Sequence, residues 1–271
     1  MQGMERLISA KDKAMYINQL MRVGFDTLDF GSFVSPKAIP QMADTAAVLG
    51  LLEAGGQNSR LLAIVANLRG AEAACGFERI SFIGFPFSVS ETFQRRNTNA
   101  GIAESLERVA QIQELCGRTS KQLVIYISMG FGNPYGDPWN VDIVLKWVGK
   151  LAAEGIAIIA LADTVGVADP DDINHLFRGL MPDYPAVRFG AHLHARPDNW
   201  SEKVAAAYEA GCRRFDSAVN GYGGCPMADD ELVGNIATEH LIEFMSGKGE
   251  SLDLNMEAFR KTLEMASGIF R

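Results

Sequence analysis

His192 and His194 close the run Val-Arg-Phe-Gly-Ala-His-Leu-His over residues 187–194. If that run is a strand, both imidazoles leave by one face and converge on a single ion. A buried parallel strand gives two adjacent imidazoles few other partners, so metal binding is the stronger reading of the pair. The next strand-like run stops at Gly221-Tyr222-Gly223-Gly224, where glycine allows positive φ, and passes directly to Cys225. That places a thiol on a loop able to move. Asn235 follows at the head of a helix-like segment as a third donor. Alone, Cys225 reads as a small buried hydrophobe; it is the combination that points to a functional metal site.

The elements that must position these groups alternate along the chain. Helix periodicity runs over 11–23, 45–53, 71–75, 102–116, 141–154, 173–180 and 202–210. Strand-like segments fall at 25–32, 60–67, 79–87, 122–129, 157–162, 187–194 and 213–219. Asp29, Asn67, Asp163, His192 and His194 all fall toward strand ends. Between Ser88 and Asn97 a dense polar stretch reads as a loop with three residues able to meet a charged ligand. Alternation of this kind implies a parallel sheet, and strand C-terminal ends are where a (β/α)₈ barrel builds its active site. An open doubly wound sheet should carry a Gly-x-Gly-x-x-Gly turn near its first strand, and none is present. The expectation is one TIM-barrel domain over 1–271. It shows seven strands where eight are needed, as if the chain began after its own first strand.

The 271 residues carry a net charge of −8, which argues against a nucleic-acid or anionic-membrane surface. No apolar run is long enough to span a bilayer and no signal peptide is visible. Four cysteines at irregular spacing, Cys75, Cys116, Cys212 and Cys225, form neither a disulfide framework nor a zinc motif. A reducing, cytoplasmic setting is expected.

Several motifs carry a family resemblance. They are Ser32-Phe33-Val34-Ser35-Pro36-Lys37 with Pro40-Gln41-Met42, Asp163-Thr164-Val165-Gly166-Val167, His192-Leu193-His194, Gly223-Gly224-Cys225-Pro226 and Gly234-Asn235-Ile236-Ala237-Thr238-Glu239. Together they resemble the 3-hydroxy-3-methylglutaryl-CoA lyases across essentially the whole chain. His-x-His is shared with related synthases and aldolases, whereas Gly-Gly-Cys-Pro is more specific to the lyase.

The resemblance implies a divalent cation, Mg²⁺ or Mn²⁺, with His192, His194 and Asn235 as ligands. It implies Cys225, His192, Asp29 and Asp163 as catalytic groups and Gln2, Ser32, Asn97 and Thr164 as substrate contacts. The reaction implied is cleavage of the C2–C3 bond of an acyl-CoA to acetyl-CoA and acetoacetate, as used in leucine degradation and ketone-body formation. An acyl-CoA is the expected partner, a homodimer is allowed, and no nucleic acid or membrane is expected.

The chain departs from the family pattern at named places. Met1-Gln2 matches only the end of the family's Arg-Asp-Gly-Leu-Gln signature, whose Arg polarises the carbonyl and whose Asp binds the metal, so an N-terminally truncated sequence is expected. Asp29 stands for a Glu, Ala160 for a Ser, and Ala-Arg-Pro-Asp-Asn-Trp over 195–200 for Asp-Thr-Tyr-Gly. An aldolase or condensing synthase, and a catalytically silent ligand-binding barrel, remain the alternative readings.

Overall fold

The computed structural model describes residues 4, 6–53, 59–224 and 233–270. In chain order the elements are α1 (Ala10–Met21), β1 (Thr27–Ser32), α2 (Thr45–Leu51), β2 (Arg60–Ile64), α3 (Leu68–Cys75), β3 (Ile80–Ser88), α4 (Glu91–Thr98) and α5 (Ile102–Arg118). They continue with β4 (Gln122–Ser128), α6 (Val141–Ala153), β5 (Ile158–Ala162), α7 (Pro170–Asp183), β6 (Arg188–His192), α8 (Trp200–Glu209), α9 (Thr238–Gly247) and α10 (Met256–Ile269). The strands form one parallel sheet in the order β1 to β6, each next to its sequence neighbour, so the helices wrap one face and the other is concave. This is the expected barrel architecture. Among the described residues it does not close.

Local sequence sets the helix starts. Ser9, Asn67, Ser90, Asn140, Asp169 and Asn255 each accept a backbone N–H of the first turn with the side chain, a contact typically worth about 1 kcal/mol. Ile83, Phe85, Phe87, Ile125, Ile127, Ile159 and Leu161 pack outward against Val109, Ile112, Val144, Val148 and Leu176. Leu62, Phe82, Val124 and Ile158 form a separate apolar plug facing inward. Tyr126, Ala160 and Gly190 lie in one register row across β4, β5 and β6. Two of these three are small, which leaves room inside the sheet.

The Pro40-Gln41-Met42 motif is a clamp. Gln41 is buried, its Oε1 accepts from Ile8 N, its Nε2 donates to Arg6 O, and Lys13 Nζ donates to its carbonyl while pairing with Asp44 at 2.6 Å. At the other end α10 packs on α1, with Phe259 and Ala266 in one cluster with Tyr16 and Val23.

The structure corrects three expectations. The seventh strand, 213–219, is only a pair of isolated bridges, Ala191 to Phe215 and Ala218 to Ala237. Ala191 N donates to Arg214 O and Asp216 N to Ala191 O, after which Ala218 exchanges hydrogen bonds with Ile236 and Thr238 instead, so the segment changes partner before a ladder can form. The polar stretch after β3 is not a loop but α4: Ser90 caps it, and Asp137 accepts from Ser90 Oγ, Thr92 N and Thr92 Oγ1. Asn235 does not head a helix, because α9 starts three residues later at Thr238. The helix α10 lies in a segment whose periodicity was not assigned. No described helix is long and apolar enough to cross a membrane.

Candidate active site

The site is built where β6 ends. His192 is the last residue of β6, and His194 follows in a segment that bridges antiparallel to Asn235. The two rings lie with centroids 5.4 Å apart. His194 is buried, and its Nδ1 sits 3.0 Å from the carbonyl oxygen of Thr164. A carbonyl only accepts, so Nδ1 carries the proton and Nε2 carries the lone pair. Burial first, then the neighbouring His192, pushes the His194 imidazole down to about 3, which keeps it neutral. His192 is less enclosed, and its Nδ1 lies 3.2 Å from Asp216 Oδ2. Each imidazole therefore turns its Nδ1 to an oxygen acceptor and its Nε2 away from it. The Asn235 amide donates through Nδ2 to Tyr222 O at 3.1 Å, and its side chain also meets the His194 ring.

Asp216 belongs to a small charged group on the concave face. Its other oxygen, Oδ1, lies 3.4 Å from Arg214 Nη1, and the Tyr126 hydroxyl lies beside the same guanidinium. Burial opposes ionisation of Asp216, but the Arg214 charge and the His192 bond together hold its carboxyl below the usual range. Tyr126 meets the His192 ring edge-on at 5.5 Å. Asp29 sits on β1 beside a register irregularity: Asp29 pairs Leu62 and Gly31 pairs Ala63, so one extra residue bulges. Phe30 packs in the outer core, and a Cβ on Gly31 would sit 2.9 Å from Thr45 Cγ2, so both face the helices. Water still reaches Asp29. Protein packed around the carboxyl, then the charge of Asp216, raises it to about 7 against the pull of His192.

Asp163 is placed differently. It is almost wholly buried, with Oδ2 2.7 Å from Lys203 Nζ and Oδ1 accepting from Ala168 N at 3.0 Å. Burial, the largest influence, lifts its carboxyl above the usual range even against the Lys203 charge. The same Nζ donates to Gly166 O and to His194 O, at 2.9 and 3.0 Å. Asp163 thus reaches the site through Lys203 and the His194 backbone. Thr164 commits its hydroxyl to Met129 N and its carbonyl to His194. Ser32, at the end of β1, is buried with a hydroxyl that has no hydrogen-bond partner. Asn97 is half-buried on α4. Gln2 and Cys225 lie outside the described residues.

Residues 1–266 match the HMGL-like family. The chain belongs to that family. It is 32% identical over 263 residues to the hydroxymethylglutaryl-CoA lyase of Pseudomonas mevalonii, covering 95% of this chain and 85% of that protein. It is equally 32% identical, over 268 residues and the same shares, to a Pseudomonas aeruginosa 3-hydroxy-3-isohexenylglutaryl-CoA/hydroxymethylglutaryl-CoA lyase. Among solved structures, an HMG-CoA lyase from Acinetobacter baumannii in complex with coenzyme A and 3-methylmalate superposes with a TM-score of 0.90 at 28% identity, over 99% of this chain and 87% of that one.

For an HMGL-like chain the donor chemistry fits a divalent cation. Two imidazoles that each turn Nδ1 to an oxygen acceptor, with an amide side chain beside them, suit a borderline or hard dication, and each histidine thereby has the outer acceptor that metal-bound imidazoles usually have. No group of three His, Cys, Asp or Glu side chains converges among the described residues. Sequence reasoning passed over Asp216, Arg214, Tyr126 and Lys203. An acid two residues beyond the second of two arginines in an otherwise extended run, Arg-Arg-Phe-Asp over 213–216, was the available signal.

Proposed function

We propose that this HMGL-like protein cleaves 3-hydroxy-3-methylglutaryl-CoA, or a close 3-hydroxyacyl-CoA, to acetyl-CoA and a 3-oxo acid, acetoacetate from the methyl substrate. The observation that carries the reading is the pair of imidazoles at the end of β6, both anchored through Nδ1, facing the same hollow as Asp29. His192, His194 and Asn235 would hold a divalent cation. When bound, it supplies Lewis acidity toward the tertiary hydroxyl and the carboxylate of the substrate.

The remaining work falls to the side chains. Asp29, raised toward neutrality, is suited to take the hydroxyl proton at physiological pH. The C2–C3 bond then breaks, its electrons leaving as the enolate of acetyl-CoA while the C3 oxygen becomes a ketone. Cys225 returns a proton to C2. Ser32, with an unbonded hydroxyl, is a contact for the substrate's polar groups. The acyl-CoA substrates of the named relatives and the coenzyme A bound by one of them support a CoA thioester, and the isohexenyl substrate makes the 3-alkyl group the variable part.

The test is an assay of acetyl-CoA and acetoacetate release from 3-hydroxy-3-methylglutaryl-CoA with Mn²⁺ or Mg²⁺, repeated with a chelator. Equimolar products lost on chelation are expected. A folded protein that releases no acetyl-CoA from any 3-hydroxy-3-alkylglutaryl-CoA, or one that cleaves a 4-hydroxy-2-oxo acid instead, would overturn it.

A further inference from the structure

The group formed by Arg214 and Asp216 sits beside the proposed site but is assigned no part in it. Arg214 enters the sheet interior at the one place where β6 offers no side chain. A Cβ on Gly190 would lie 2.6 Å from Arg214 Nη1 and 3.2 Å from both Cδ and Cγ, so the arginine crosses β6 in contact with its backbone, two residues before His192. Its side chain is 16% exposed. Ala160, next to Gly190 in the same row, adds little bulk, and Tyr126 beyond it supplies the hydroxyl that meets the guanidinium. A buried cation in such a place is costly unless something uses its charge.

Asp216 uses it. One carboxylate oxygen faces Arg214 and the other faces His192 Nδ1, so the carboxylate is held from behind by one partner and holds the imidazole in front. Tyr126 lies against both ends of this relay, its hydroxyl beside Arg214 and its ring edge-on to His192. His194 needs no such device, since a backbone carbonyl fixes it.

We infer that Arg214 and Asp216 are positioning residues: Arg214 fixes the Asp216 carboxylate, which fixes the His192 ring with its proton on Nδ1 and its Nε2 facing the site. This rests on the proposed reading only for what Nε2 then does. The placement itself is testable without turnover. Losing an outer partner of a metal-bound histidine costs about 10- to 100-fold in metal affinity or activity. The same scale applies here, with substrate KM changed little.

The experiment uses long-range ¹H–¹⁵N spectra of the metal-free full chain, which has four histidines. Wild type should show His192 and His194 protonated at Nδ1. Asp216→Asn and Arg214→Met should shift or mix the His192 pattern and leave that of His194 intact, which reports a folded strand end within the same sample. Arg214→Lys should restore part of the wild-type pattern. Mn²⁺ affinity by calorimetry should fall about 10- to 100-fold in the same variants. If Arg214→Met does not fold, Gly190→Ala displaces the guanidinium while keeping its charge and serves as the second test. An unchanged His192 pattern and unchanged Mn²⁺ affinity in Asp216→Asn would overturn the inference. A wild type with the expected spectra but no cleavage of any acyl-CoA would instead overturn the proposed function.

Discussion

Lys203 Nζ lies 2.7 Å from Asp163 Oδ2, with the two side chains 2% and 1% exposed, and the same nitrogen holds the backbone carbonyl of His194. The pair joins α8 to the loop after β5 and to the end of β6. Removing one partner strands a charge in a dry interior, which costs about 3–5 kcal/mol, whereas removing both leaves apolar groups that pack. Lys203→Met should therefore lose about 3–5 kcal/mol by urea unfolding, and Lys203→Met with Asp163→Leu should recover much of it. A single variant as stable as wild type would show that the carboxyl is already neutral in the fold.

Gly70 tests a contest between two effects. Alanine is the better helix former by about 1 kcal/mol. A Cβ there, however, would collide with the carbonyl oxygen of Phe33, which belongs to the Ser32–Lys37 loop leaving β1. Backbone cannot yield as a side-chain tip can, and overpacking typically costs about 1–3 kcal/mol. Gly70→Ala should lower the melting temperature. A rise would mean that the loop moves freely and is not held against α3.

Asp29 should leave a pH signature. Its carboxyl sits near 7 in the fold against 3.8 in its absence. Below about pH 4 both states are protonated and nothing is gained or lost. Between the two values the unfolded chain releases its proton and the folded one keeps it, so stability falls with rising pH and the full loss is reached above 7. Asp29→Asn should thus melt higher than wild type at about pH 8, with the difference shrinking steadily as the pH falls toward about 4, in metal-free buffer. A difference that does not change with pH would remove the raised carboxyl.

Cys225→Ser should fold and bind normally while losing about 10²- to 10⁴-fold in kcat, with KM within about twofold, since a proton donor acts on the leaving enolate and not on binding. Cys75, Cys116 and Cys212 are buried free thiols, and replacing each in turn should leave kcat unchanged. Near-normal kcat in Cys225→Ser would take the thiol out of the proton path.

The alternation of apolar runs and helical periods was enough to read the parallel sheet and the His192 and His194 strand end, because buried parallel strands announce themselves by unbroken apolar sequence. It failed where tertiary partners decide. Arg-Phe-Asp over 214–216 looks like a strand by composition, but its neighbours change after one bridge. Glu91–Thr98 looks like a loop because almost every residue is polar, yet Ser90 and Asp137 cap it from outside. Asp163 shows the limit from the other side. Its type and place suggested chemistry, and only the burial of Lys203, some forty residues on, reveals the ion pair.

Gly190 and Arg214 share one volume, and that sharing restricts how the site can drift. A side chain added at 190 pushes the Arg214 guanidinium out of its place, and any shorter residue at 214 leaves the Asp216 carboxylate without its cation. Single steps from either position are therefore penalised, while a paired exchange that also replaces Asp216 is open. The three positions 190, 214 and 216 should vary together or not at all among close descendants of this chain. A library randomising them jointly should return functional members only as compensated sets, and that coupling is where a changed preference for the acyl group can begin.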